Sequence, residues 1–211
     1  MTRRRSYQQN CALAIALDII GERWTLLIIR EVMIRPRRFK DLQENLPGIG
    51  SNLLSGRLQQ LVSDGILQRR GDGHPLYTLG AAGKNLVPVI HGLIRWGMSF
   101  NGYREDSNYS SPDWLILVLQ AFFRADIGRQ WRGAYQLCIG VQSLVLACED
   151  DCLVTKDEDS KAICRIAFSA ETAGKLAAAD LSLHAGLQSG EIETEGERTD
   201  ISRFFQAFVN E

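Results

Sequence analysis

The 211-residue sequence predicts an α+β chain of two domains, and three observations predict it. Apolar residues recur at spacings of three and four as far as residue 63, and only then does the pattern give way to two short strand-like runs. The stretch 101–112, NGYREDSNYSSP, is polar and turn-rich. Beyond it, strand-length segments with short turns are followed by amphipathic ones, which predicts an antiparallel sheet packed by helices. The domains are therefore drawn as 1–104 and 113–211, with a linker at 105–112.

In the first domain, CALAIALDIIG places Leu13, Leu17 and Ile20 four and three apart, with Asn10 as the expected N-cap. Gly21 interrupts the run. ERWTLLIIREVM resumes it, with Trp24, Leu27, Ile28 and Val32 expected inward, and Pro36 stops it. RFKDLQENLPG predicts a short helix burying Phe39, Leu42 and Leu46, ended by Pro47 and Gly48. The next helix has Ser51 as its expected N-cap, Leu54, Leu58 and Leu61 on its inner face, and Gly65 as its C-terminal signal. ILQRR and PLYTL predict two strands joined by GDGHP. KNLVPVIHGLIRWGMSF is helical again, with Leu86, Ile90, Leu93, Gly97 and Phe100 on one stripe. Pro88 is expected in its first turn or at a kink.

The second domain opens with a helix, DWLILVLQAFFRAD. GAYQLCIG, QSLVLACED, CLVTKD and KAICRIAFS follow as strands. The order then predicted is helix (AETAGKLAAAD), helix (SLHAGLQSG), strand (EIETEG) and helix (DISRFFQAFV).

A net charge of −1 hides two opposite halves. Residues 1–104 carry 15 Lys and Arg against 7 Asp and Glu, and residues 105–211 carry 9 against 18. A basic half is the electrostatic footprint of a nucleic-acid binder, and an acidic half would face away from DNA. The five cysteines are odd in number and form no disulfide framework, which fits a reducing compartment. No signal peptide and no membrane span are read, so a cytoplasmic protein is expected. Cys148 and Cys152 lack further ligands at zinc spacing, and the acidic runs lack the spacing of a calcium loop. His74, His91 and His184 are isolated, and no phosphate loop or nucleophile elbow occurs. No metal, cofactor or enzymatic activity is expected.

Three helices followed by a β-hairpin are the order of a winged helix-turn-helix, in which one helix enters the major groove. The helix from Ser51 is the expected recognition helix. Asn52, Gln59 and Gln60 can donate to and accept from base edges, Ser55 and Gly56 permit close approach, and Arg57 lies on the flank. Amides at Ser51 face a phosphate. Arg35, Arg37, Arg38 and Lys40 before the bracing helix, with Arg69, Arg70 and His74 on the wing, are expected phosphate contacts.

CALAIALDIIGERWTLLIIRE, RRFKDL, LPGI, LSGRLQQLVSDGIL and YTLGAAGKNLVPVI together resemble the HxlR-type family of bacterial winged-helix regulators, over Cys11 to Gly97. The resemblance implies a homodimer, paired through the first helix and the helix after the wing, on a two-fold symmetric operator. It also implies that Pro88 is normal inside that last helix. The resulting expectation is a regulator, a repressor rather than an activator. The wing tip GDGHPLY is short, which limits its reach.

In some members of that family a cysteine at the place of Cys11 senses oxidants or electrophiles. A helix N-terminus would lower its pKa. The competing reading, a small apolar residue at a dimer contact, carries more weight. The second half is similar to sterol-carrier-protein-2-like domains, through WLILVLQAFFRAD, GAYQLCIG and IETEGERTDISRFFQAF. That resemblance implies a cavity for an apolar small-molecule ligand. Trp114, Leu117, Phe122, Phe123, Phe168, Phe204 and Phe208 are its candidate lining, with a filled core as the equal alternative. A lipid-binding or carrier module whose N-terminal half serves only dimerisation is the competing reading of the whole.

Overall fold

The apolar run at 12–34 folds as two helices, α1 (Ala12–Ile20) and α2 (Thr25–Ile34), in the computed structural model of the chain. That structure describes residues 6–98, 100, 113–157, 159–177 and 180–208. The linker expected at 105–112, and Arg3, Arg4 and Arg5, lie outside the described residues. Gly21 separates the two helices because a Cβ there would stand 2.5 Å from the Leu17 carbonyl oxygen. Trp24 then takes a left-handed conformation, φ 78°, and α2 begins. Position 11, not Asn10, is the N-cap of α1. Ile28 and Val32 are buried as expected, whereas Leu27 turns outward and Trp24 is half-buried.

After Pro36 come β1 (Arg37–Arg38), α3 (Phe39–Asn45), α4 (Ser51–Ser63), β2 (Leu67–Arg70), β3 (Leu76–Leu79) and α5 (Ala81–Met98). Gly50 occupies the N-cap of α4, so Ser51 is its first helical residue and caps nothing. Leu54, Leu58 and Leu61 bury against Leu42, Leu46, Ile28 and Ile66 in one core. Each such side chain contributes about 1.5–3 kcal/mol. Gly65, at φ +69°, lets the chain leave α4 and turn into β2. Helix α5 runs unbroken through Pro88, well past its first turn.

The sequence reading missed β1. It pairs antiparallel with β3, with Arg37 opposite Tyr77, and makes the wing three-stranded in the order β1-β3-β2. Two residues are too few to show a period. The pairing decides the fate of Arg37, which is only 3% exposed. Its Nη2 donates to Glu31 Oε2 at 3.1 Å and its Nε to the Glu31 carbonyl at 3.2 Å. Asn45 Nδ2 donates to the same Oε2 at 2.9 Å, and Arg30 donates to Oε1 at 2.8 and 3.1 Å. Arg37 is therefore a core ion-pair partner and is withdrawn as a phosphate contact.

The chain forms two compact units, Met1–Ile90 and His91–Glu211. The second contains α6 (Trp114–Phe122), α7 (Ala125–Gly128), β4 (Ala134–Ile139), β5 (Gln142–Glu149), β6 (Cys152–Lys156) and β7 (Ala162–Phe168). It continues with α8 (Ala170–Ala177), α9 (Leu183–Ser189), β8 (Ile192–Glu195) and α10 (Arg198–Gln206). Its five-stranded sheet runs β6-β5-β4-β7-β8. The expected antiparallel sheet is corrected to a mixed one, because β4 and β7 pair in parallel. The β5–β6 hairpin fills one edge of β4, so the chain crosses to the other edge and enters β7 in the same direction as β4.

The buried Glu31 cluster has a measurable consequence. Glu31→Ala takes the carboxylate partner from the buried Arg37, and a loss of about 3–5 kcal/mol is expected. Replacing both residues by apolar ones of similar size should cost much less. Urea unfolding of the three proteins checks this, and equal losses for the single and double variants would remove the ion pair from the account.

Candidate nucleic-acid interface

Helix α4 turns by about 100° per residue. With Leu54, Leu58 and Leu61 inward, Asn52, Gly56, Gln59 and Ser63 fall on the opposite side. Ser51, Asn52, Ser55, Gly56, Gln59 and Gln60 are all exposed. Asn52 and Gln59 thus present amides to solvent, the chemistry that pairs bidentately with an adenine edge. Gln60 Nε2 donates to Asp64 Oδ1, 3.0 Å away on its own helix, so it stands partly engaged.

Two basic groups lie beside this helix. Arg38 and Lys40, at the start of α3, are exposed. The Arg38 amide donates to Asp41 Oδ2 at 2.8 Å, fixing the first turn of α3, and Lys40 meets Glu44 at 3.6 Å. Arg69, Arg70 and His74 are exposed on the wing, with Arg70 Nη2 donating to Gln68 Oε1 at 3.4 Å. Arg57 differs from the rest. Its Nη2 donates to Glu22 Oε2 at 2.7 Å, across 35 positions of sequence, and its side chain is largely covered.

The sequence reading missed Tyr77. It stands directly opposite Arg69 in the β2–β3 register. With Ser55, Leu58, Gln59, Val62 and Arg69 it lines a cleft of about 360 Å³ between α4 and the wing. Alternation along β3, once registered on β2, is the signal that could have found it.

The exposed residues of α1 include Leu13, Ile15 and Leu17, and those of α5 include Val89, Leu93 and Trp96. Leu13 is 66% and Trp96 64% exposed. Phe100 packs edge-on against Trp96, centroids 4.8 Å apart, and is exposed with it. The stripe expected on α5 is therefore covered only in part within the chain, Ile90 being buried and Leu93 and Phe100 exposed. Cys11 is exposed at the N-cap of α1. The backbone amides of Ala14 and Leu13 hold its thiol below the usual range by stabilising the thiolate.

In the C-terminal unit several of the candidate lining residues pack ring against ring. Phe123, Phe204 and Phe208 meet Trp131 ring to ring, with centroids 5.5–6.2 Å apart. Tyr135 closes the cluster against Trp131 at 4.4 Å, and burial raises its phenol to about 12. Leu117 is buried, and Trp114 is half-buried. Phe122 is exposed. Of the set, only Phe168 lines the concavity of about 520 Å³ beside β7. That concavity is otherwise edged by charged groups, among them Arg165, Lys175, Glu171, Glu191 and Glu193. Phe123, Phe204 and Phe208 also pack on one another, with Phe208 centroids 5.8 Å from Phe123 and 5.1 Å from Phe204.

A family described as HxlR-like helix-turn-helix matches residues 19–105. Among curated proteins, YodB, an HTH-type transcriptional regulator of Bacillus subtilis, is 33% identical over 89 residues, covering 40% of this chain and 80% of that protein. The chain belongs to the HxlR-like helix-turn-helix family. An HTH-type transcriptional regulator of Mycobacterium bovis is 44% identical over 87 residues, 39% of this chain, and this chain spans about half of that protein's length, 54%. Among solved structures, quinone-bound YodB from B. subtilis overlays with a TM-score of 0.38 at 33% identity, covering 42% of this chain and 97% of that one. The HxlR-like match takes in the end of α1 and all of α2 to α5, the wing included. No helix among the described residues is long and apolar enough to cross a membrane.

The thiols of this HxlR-like chain should react in a definite order. Cys11 is lowered, Cys148 is raised by burial and by Asp151, and Cys164 is raised to about 11 by burial and Asp200. A lowered pKa means more thiolate at a given pH. At neutral pH iodoacetamide should therefore label Cys11 well before Cys148 and Cys164. Timed peptide mass spectrometry checks this, and equal labelling of Cys164 would overturn it.

Proposed function

We propose that this protein is a homodimeric, sequence-specific DNA-binding transcriptional regulator, acting as a repressor on a two-fold symmetric operator. One observation carries the reading: α4 presents Asn52 and Gln59 outward on a helix held by three buried leucines, with exposed cations at the start of α3 and on the wing. Family membership supports it. In the proposed complex α4 enters the major groove, and Asn52 and Gln59 read base edges. Ser51, Ser55 and Gly56 let the helix approach, and Gln60 makes a secondary contact. Arg38, Lys40, Arg69, Arg70 and His74 neutralise phosphates.

The exposed apolar residues of α1 and α5 support a homodimer. A Trp, three Leu, an Ile and a Val left in water are costly for a monomer, and burial of each on a second copy stabilises the pair by about 1.5–3 kcal/mol. Cys11 adds a regulatory reading, favoured by its exposure and lowered pKa beside this apolar face. A covalent modifier there would alter the pairing of α1 and so the spacing of two recognition helices. The resemblance of the C-terminal unit to sterol-carrier-protein-2-like domains stays a proposal about its fold. A mixed sheet backed by helices supports it, and its role is proposed as support for the dimer or as a sensor.

Three measurements test these proposals. Selection of duplexes from a random pool should yield a palindromic site. Asn52→Ala or Gln59→Ala should relax base preference at a cost of about 1–3 kcal/mol, whereas Arg69→Ala should weaken all duplexes alike and lower the salt slope by about one. An unchanged preference in both amide variants would remove α4 as the reading element. Trp96→Asp with Leu13→Asp should convert a dimer to a monomer in sedimentation velocity. A wild-type monomer at micromolar concentration would end the dimer proposal.

A further inference from the structure

Arg57 sits on the flank of α4, between the buried leucines and the exposed amides. On the sequence it belongs with the DNA-contacting residues of that helix, on its flank. The structure gives it a different partner. Its Nη2 donates to Glu22 at 2.7 Å, and the two side chains are 23% and 39% exposed. Its Nε is buried and has no hydrogen-bond partner. A guanidinium lodged in this way faces the N-terminal unit, whereas a phosphate anchor stands free on its stem as Arg69 does.

Glu22 lies in the turn between α1 and α2, one residue after Gly21. That turn also meets the loop before α4. The Trp24 ring stands 3.8 Å from where a Cβ at Gly48 would lie, and Gly48 takes φ +91°. The same turn therefore touches α4 at mid-length through Arg57 and touches the approach to its N-terminus through Trp24. The other flank of α4 borders the cleft lined by Tyr77 and Arg69.

We infer that Arg57 is a positioning residue, which with Glu22 fixes the attitude of α4 relative to α1 and makes no DNA contact of its own. The inference rests on the DNA-binding reading. A helix tilted by a fraction of an ångström keeps its phosphate contacts but misplaces Asn52 and Gln59, so the pair governs discrimination rather than bulk affinity.

Two variants test it, using the duplex that the full-length wild-type protein enriches from a random pool and a scrambled copy of it. Glu22→Gln is expected to weaken binding to the enriched duplex about three- to tenfold while leaving the scrambled duplex and the salt slope unchanged. If Arg57 were a phosphate anchor held off by Glu22, the same variant would bind both duplexes more tightly with a steeper salt slope. That result, or no change on either duplex, overturns the inference. The charge swap, Glu22→Arg with Arg57→Glu, should restore discrimination if the pair only positions. With circular dichroism showing a folded protein, failure to restore it counts against the inference. Enrichment of no duplex by the wild type would sink the DNA-binding reading itself, a different outcome from a normal wild type with an indifferent Glu22→Gln.

Discussion

Glu31 brings an ionised carboxylate into the interior of the N-terminal unit, where an unpaired charge is strongly destabilising. Among its partners are the side chains of Arg30, Arg37 and Asn45, and Arg37 brings strand β1 with it. Those groups come from α2, β1 and the end of α3, so a single carboxylate ties three consecutive elements. Hydrophobic burial alone would hold α3 near α2 without fixing its rotation. Directional bonds to one buried acceptor fix it, because each donor has one angle of approach. The turn from α3 to α4 then inherits a defined starting point, and the leucine ridge of α4 completes the core.

The same constraint explains why neighbouring arginines have opposite fates. Arg37 and Arg38 are chemically identical and adjacent, yet one is buried and the other exposed. Successive residues of a strand point to opposite faces, and pairing with β3 sets which face is inward. A basic cluster read from sequence is thus a mixture: part of it builds the scaffold and part remains for the solvent side. Arg57 belongs with the first kind and Arg69 with the second, although both lie beside the same helix.

What was legible in the sequence follows from period and punctuation. The leucines of α4, the stop at Pro36, the left-handed Gly65 and the hairpin strands all declare themselves locally, and the structure bears them out. The exposure of Asn52 and Gln59 was legible for the same reason, being the complement of a leucine stripe. The N-caps slipped by one residue, and the larger failures are non-local. Strand β1 exists only because β3 is there to receive it. The link from Glu22 to Arg57 spans 35 residues, and no spacing rule relates them. In the C-terminal unit the strands themselves were readable, but the parallel pairing of β4 with β7 depends on where the β5–β6 hairpin docks. An aromatic-rich sequence equally fits a lined cavity and a filled one. Only the coordinates show Phe123, Phe204 and Phe208 closing on Trp131.

The α1–α2 turn gives these observations a common direction. Helix α1 carries Cys11 at one end and an exposed apolar face along its length, and its other end leads into the turn that holds Arg57 through Glu22. A short helix stiffened by backbone hydrogen bonds transmits a displacement along its axis with little loss, whereas a flexible loop would absorb it. In the turn beyond it, Gly21 lies too close to the Leu17 carbonyl to admit a side chain and Trp24 takes a positive φ. On the proposed reading, a change at the α1 face, from pairing with a second copy or from chemistry at Cys11, would reach α4 through this turn and one ion pair. An effector needs only about 1–3 kcal/mol of preference between two attitudes of α4 to act as a useful switch.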